Sequence, residues 1–271
     1  MAKYQFGFIG CGNMGGAILR AIASRFGGCD ILISDRISEI TARFHQEYGV
    51  AVAENAVEIA CCAKYIFLGV KPQGMKALLQ EIAPTLAQRE DSPILISMAA
   101  GITLDTVAKE LNDRAIPIIR ILPNTPAAIG KGMMLYCCND HVSEQEERIA
   151  VTAFETTGKV DKIEERLIDA GCAVSGCGPA FVYMFMEAMA DGAVAAGVPR
   201  QQAVLYAAQT LIGAAEMVLQ SGQNPGTLKD AVCSPGGSTI QGVRALENGA
   251  FRSAVIEAVL AAYEKTVELG K

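Results

Sequence analysis

Six consecutive residues near the carboxyl end, Ser234-Pro235-Gly236-Gly237-Ser238-Thr239, have the makings of a small anion site. Pro235 fixes its own φ and has no N–H, and the two glycines let backbone approach a ligand with no Cβ in the way. At a helix start the N–H groups of Gly237, Ser238 and Thr239 lack carbonyl partners and can hold a carboxylate, with a hydroxyl left for a neighbouring nitrogen. The plainer reading is an N-cap behind a flexible turn. A second chemical stretch, Gly10-Cys11-Gly12-Asn13-Met14-Gly15, follows an apolar run and matches G-x-G-x-x-G. In that context Gly10 serves the tight turn, Gly12 lets a pyrophosphate approach, and Gly15 lets a helix pack on its strand. About twenty residues further on, Ser34-Asp35-Arg36 falls where the adenosine ribose of a dinucleotide should lie. An acid there accepts from the 2′-OH of NAD, Arg36 could hold the 2′-phosphate of NADP, and Ser34 could serve either; Asp35 could also cap the next helix.

These residues need elements to position them. Residues 4–9 read as a buried strand and 14–26 as the helix behind the glycine loop. A second strand at 30–34 ends in Asp35. Strands at 65–70, 94–98 and 116–121 run into loops of small or proline residues: Lys71-Pro72, Ala99-Ala100-Gly101 and Leu122-Pro123-Asn124-Thr125-Pro126. In a doubly wound sheet the carboxyl ends of the strands face the ligand crevice, so these loops are expected to line the nicotinamide side. Residues 132–137 and 159–163 are expected to add edge strands around a helix at 143–155. After residue 163 strand signals stop. Helices are expected at 176–196, 200–220, 239–247 and 251–269, with 223–233 read as a turn region. The expected fold is α/β: a Rossmann-type doubly wound sheet over residues 1–162, then an all-α domain over 163–271 for substrate binding and oligomerisation. Apolar residues lie on more than one face of those helices, which calls for packing against another subunit.

Composition narrows the function. The chain has 271 residues, 51% of them hydrophobic, and a net charge of -6 with no basic run, which argues against a nucleic-acid partner. Nine cysteines with no C-x-x-C, and only two histidines, His45 and His141, give no expected metal site and suit a reducing, cytoplasmic setting. No uninterrupted apolar stretch is expected to cross a membrane, since the most apolar one carries Glu187 and Asp191. Between Lys162 and Lys229 there is no lysine, and neither histidine lies in the second half. An alcohol-forming reductase usually needs such a group to move the hydroxyl proton. A cyclic imine, protonated on nitrogen by water, needs only orientation, a carboxylate anchor and a partner for its nitrogen.

The chain resembles the pyrroline-5-carboxylate reductases. The residues that carry the likeness are Phe8-Ile9-Gly10-Cys11-Gly12-Asn13-Met14-Gly15, then Val70-Lys71-Pro72, Pro123-Asn124-Thr125-Pro126, Ser175-Gly176-Cys177-Gly178-Pro179-Ala180, Asp191-Gly192, Gly197-Val198-Pro199-Arg200, Ala207-Ala208-Gln209-Thr210 and the 234–239 stretch. The resemblance implies reduction of 1-pyrroline-5-carboxylate to L-proline, the last step of proline biosynthesis, with NADPH (NADP) and in many members NADH (NAD). It implies that Gly10, Cys11, Gly12, Asn13, Met14 and Gly15 cradle the pyrophosphate, with Ser34, Asp35 and Arg36 at the ribose. Asn55, Gly69, Val70, Lys71, Pro72, Met98, Ala99 and Ala100 contact the rest of the cofactor. Gly236, Gly237, Ser238 and Thr239 hold the substrate, and the Thr239 hydroxyl meets the ring nitrogen as the catalytic contact. A homo-oligomer is implied, helical dimers assembled into a decamer. Cys177 stands where the family has serine, and Asp35 is less usual at the ribose position. Two other readings remain: a hydroxy-acid dehydrogenase of the same two-domain plan, and a non-catalytic NAD(P)H-sensing oligomer.

Overall fold

The computed structural model describes residues 2–112 and 114–269. Cα packing divides the described residues into two compact units, one running to Cys177 and including residues 262–269, the other Gly178–Ala261.

The first unit alternates strand and helix. Its elements are β1 Tyr4–Ile9, α1 Asn13–Phe26, β2 Ile31–Ser34, α2 Ser38–Tyr48, β3 Ala51–Val52, α3 Ala56–Cys62, β4 Ala63–Leu68, α4 Pro72–Gln88, β5 Ile94–Ser97, α5 Leu104–Glu110, β6 Ile118–Leu122, β7 Gly132–Cys138, α6 Glu144–Phe154, β8 Gly158–Lys162 and α7 Glu165–Ser175. The eight strands form one sheet in the order β3-β2-β1-β4-β5-β6-β7-β8. Every pairing is parallel except that of β6 with β7. The strand order reverses between β1 and β4, which is where a doubly wound sheet opens its crevice. Central strands such as Ile31-Leu32-Ile33 and Ile94-Leu95-Ile96 are apolar on both sides because helices cover both faces. One face packs under Ile59, Leu79, Val107 and Ile168, the other under Ile18, Phe44 and Phe154. The expected doubly wound sheet is the observed one, with the short β3 and the helix α3 as additions.

At the amino ends of β4 and β5 the chain is closed by Arg89. Its guanidinium donates to the carbonyls of Ala60 (2.7 Å) and Ala63 (2.6 Å) and grips both carboxylate oxygens of Asp91 at 2.8 and 2.9 Å. Arg89→Ala is expected to cost roughly 2 to 3 kcal/mol of stability, because buried carbonyls lose a charged donor. The Arg89 guanidinium also holds the Asp91 carboxyl down at about 2. Its folded value lies below the unfolded value of about 3.9, so this contribution is complete above that value and lost as pH falls toward 2. Urea midpoints should therefore separate the parent from Asp91→Asn near neutral pH and converge in acid.

The second unit is helical: α8 Gly178–Ala195, α9 Arg200–Ser221, α10 Pro225–Ala231, α11 Ser238–Asn248 and the larger part of α12 Phe251–Leu269. Here the reading of 223–233 as a turn region is corrected. Asn224 accepts from the Gly226 amide and caps α10, and Pro225 occupies its first position, so residues that look like a turn start a helix instead. In α8 and α9 the only fully buried residues are alanines, Ala190, Ala203 and Ala207. Large apolar side chains point outward, among them Met184 (69% exposed), Leu205 (62%) and Leu219 (73%). A face of that kind needs a cover. The expectation about membrane-crossing length is also corrected: by length and mean hydropathy alone, the stretches Glu165–Ala195 and Arg200–Ser221 are long and apolar enough, because Glu187 and Asp191 in the first and Glu216 in the second are diluted among apolar residues.

Candidate active site

The glycine loop leaves β1 and is tied to β2 by its first two amides. The Gly10 amide donates to the Ser34 carbonyl at 2.8 Å, and the Cys11 amide to Asp35 Oδ2 at 2.6 Å. The other Asp35 oxygen accepts from the Ile37 amide at 3.0 Å. Asp35 therefore anchors the glycine loop through Oδ2, while Oδ1 turns the chain at Ile37, the residue before α2, and no side chain caps α2 itself. Gly10 takes a φ of +94°, open to glycine at little cost. The loop also packs backbone to backbone against the end of β4: a Cβ on Gly69 would lie 2.2 Å from the Gly10 oxygen, and one on Gly15 would lie 2.4 Å from it. Gly12 differs, since a Cβ there would meet nothing within 4 Å. It faces open space at the start of α1, where the N-cap supplies no side-chain bond.

With the Gly10 and Cys11 amides engaged, the first-turn amides of α1, those of Asn13, Met14 and Gly15, are the donors left for an anion. Burial and the neighbouring Asp35 carboxylate push the Cys11 thiol up to about 12, so it brings no negative charge to this cradle at neutral pH. Residues 69–72 follow β4 and residues 98–100 follow β5, so both lie along the same carboxyl edge as the glycine loop and Ser34-Asp35-Arg36. Lys71 is exposed and Pro72 opens α4. Met98 and Ala100 are half-buried and Ala99 is buried. Asn55 lies beyond β3, where its Oδ1 caps α3 by accepting from the Glu58 amide at 3.0 Å, which leaves its amide nitrogen for a ligand. The open Gly12, the uncapped helix start and the neutral thiol suit a dinucleotide pyrophosphate.

In the second unit, Ser234-Pro235-Gly236-Gly237 closes on itself. The Gly237 amide donates to the Ser234 carbonyl at 3.0 Å, and Gly236, after proline, has a φ of +71°. Proline followed by a left-handed glycine is the pattern of a type II turn. This corrects one expectation: the Gly237 amide is engaged in that turn. The unengaged amides begin at Ser238, the first residue of α11, whose N-cap Gly237 makes no side-chain bond. Ser238 and Thr239 are exposed, so two amides and two hydroxyls stand together at an open helix start.

One cluster that sequence reasoning missed lies under the carboxyl-end loops. Arg120, in the middle of β6 and 1% exposed, contacts Asp169 at 2.5 Å and Glu165 at 3.5 Å, both on α7. The signal was a lone charge inside Ile118–Leu122 and two acids four residues apart. Among the described residues no cluster of side chains could hold a metal ion.

Fold and cradle together define a dinucleotide-dependent oxidoreductase with an appended helical unit. Residues 5–101 match a family model described as NADP oxidoreductase coenzyme F420-dependent, and 165–269 match one described as pyrroline-5-carboxylate reductase dimerisation. The pyrroline-5-carboxylate reductase of Escherichia coli (strain K12) is 44% identical over 98% of both chains. Pyrroline-5-carboxylate reductase 3 of Danio rerio is 42% identical over 99% of this chain and 92% of its own. Among solved structures, the Plasmodium falciparum pyrroline carboxylate reductase with NADP bound superposes with a TM-score of 0.89 at 31% identity, covering 100% of each chain. The chain belongs to the pyrroline-5-carboxylate reductase family. The exposed apolar residues of α8 and α9 lie within the stretch that matches the dimerisation model, which supports a dimer or larger oligomer.

Proposed function

We infer that this chain reduces 1-pyrroline-5-carboxylate to L-proline at the expense of NADPH or NADH, the last step of proline biosynthesis. The full-length kinship with pyrroline-5-carboxylate reductases carries this reading. Residues 1–162 form the dinucleotide-binding part, and residues 163–271 bind substrate and build the oligomer. Gly10 to Gly15 take the pyrophosphate, with the first-turn amides of α1 as donors. Ser34, Asp35 and Arg36 take the adenosine ribose. Because both Asp35 oxygens already accept backbone amides, Arg36 and Ser34 are the groups available to a 2′-phosphate, which supports use of NADPH. Asn55, residues 69–72 and residues 98–100 line the remainder.

When bound, the reduced nicotinamide supplies a hydride to the imine carbon. The protein's part is to orient the ring, and no side-chain acid is required because the imine nitrogen takes its proton from water. The Ser238 and Thr239 amides hold the substrate carboxylate, with Gly236 and Gly237 giving it room. The Thr239 hydroxyl accepts from the ring N–H, which fixes the orientation of the ring. We place the enzyme in the cytoplasm, away from membranes, supported by nine free cysteines. Dimers joining into a decamer, as the resemblance implies, would give that mass in solution; a dimer's mass would overturn it.

The test is nicotinamide absorbance against time, with pyrroline-5-carboxylate and either NADPH or NADH. A fall that yields proline, faster with NADPH, is expected. Folded protein giving no fall with either cofactor would sink the reading and favour hydroxy acids or a sensor.

A further inference from the structure

Arg120 is an odd residue to bury. It sits on β6 in register with Ser97 on β5 and Cys137 on β7. Its Nη2 donates to Asp169, but among the described residues its Nε and Nη1 have no hydrogen-bond partner, and neither does the buried Ser97 Oγ beside it. Burying an incompletely satisfied ion pair is weak support for stability, and an apolar side chain of similar length could be as stable. The arrangement does hold geometry. Glu165, the first residue of α7, reaches Arg120 and also accepts from the Leu104 amide at 2.7 Å, where α5 leaves the loop that follows Ser97. At the other end of α7, Asn124 donates to the Ser175 carbonyl at 2.9 Å and accepts from the Met133 amide at 3.0 Å. One helix is thus fastened to the loops behind β5 and β6.

We propose that Arg120 is a positioning residue for the cofactor: through Glu165 and Asp169 it fixes α7 and, with it, the 98–104 loop against which the nicotinamide end lies. The proposal rests on the reading of residues 98–100 as a cofactor contact. Neutralising the whole cluster separates geometry from charge burial. The triple variant Arg120→Met, Glu165→Gln, Asp169→Asn buries no charge, so its Tm should equal or exceed the parent's. Its Kd for NADPH, read from the nicotinamide fluorescence change on binding, should still rise about tenfold, the scale expected when supporting residues let a bound group shift. The KM for the pyrroline should stay within about twofold, since α11 carries that site. Arg120→Lys, which keeps the charge but not the fork that spans both acids, should leave most of the loss in NADPH Kd in place. A triple variant with parental NADPH affinity would overturn the proposal, and so would equal losses in both ligands. Should the triple variant not fold, Glu165→Gln, at a side chain 31% exposed, is read in the same way. Parent protein that binds NADPH but leaves the pyrroline unreduced would defeat the functional reading alone, because the NADPH comparison needs no turnover.

Discussion

Gly69→Ala is expected to weaken NADPH binding by at least about tenfold, or 1.4 kcal/mol, and to lower Tm with it. The added methyl carbon would sit 2.2 Å from the Gly10 oxygen, 3.1 Å from its carbonyl carbon and 3.2 Å from the Ile9 oxygen. All three are backbone atoms, so no rotamer change relieves the clash. Either the glycine loop lifts off β4 or the end of β4 moves away, and the Gly69 amide bond to the Ile9 carbonyl at 2.7 Å resists both. Gly12→Ala is the partner experiment. Its methyl would meet no protein atom within 4 Å, and the backbone there, at φ -65°, suits any residue. Tm should hold while NADPH affinity falls, because the methyl projects where the pyrophosphate must come close. Thermal melts and NADPH titrations on the two variants separate a loop distorted from within from a loop blocked from outside. Unchanged NADPH affinity in Gly12→Ala would remove the cradle's assigned role.

The two variants also mark what was legible in the sequence. The glycine loop could be read because its requirements are local: a strand, a turn and a helix start within a dozen or so residues. What Gly69 does was not legible, since its partner, Gly10, becomes a neighbour only through the β1–β4 pairing at the sheet's reversal point. Asp35 was placed correctly at the end of β2, yet its grip on the Cys11 amide spans 24 residues. Arg120 shows the same limit more sharply, with its partners 45 and 49 residues away on a helix that sequence reading passed over. That helix, α7, carries Gly171 in its second half. In the structure it is a spacer, where a Cβ would come within 2.5 Å of Leu135 Cδ1 on β7. In α10 a helix was missed for a different reason: Asn224-Pro225-Gly226 belongs equally to turn and helix-start vocabularies, and the choice is made by the bonds that follow.

For the second unit, Thr239→Val is expected to lower kcat/KM for pyrroline-5-carboxylate about a hundredfold, a loss typical of removing one oriented polar contact to the reacting group. Valine keeps the shape and the β-branch and removes only the hydroxyl. Thr239 is exposed at the second position of α11 and among the described residues its hydroxyl makes no bond that α11 depends on, so Tm should not move. The NADPH Kd should not move either, because the cradle belongs to the first unit. Thr239→Ser restores the hydroxyl and should recover most of the rate. Gly236 sharpens the assignment. Its φ of +71° is costly for a β-branched residue, and the turn it completes holds the Gly237 amide on Ser234. Gly236→Val should therefore loosen the start of α11 and raise the KM for substrate, whereas Thr239→Val should act mainly on kcat. If Thr239→Val turned over at the parental rate while Gly236→Val lost substrate affinity, the helix start would keep its role as carboxylate anchor. The ring nitrogen would then need another partner, and the neighbouring Ser238 hydroxyl would be the next to replace.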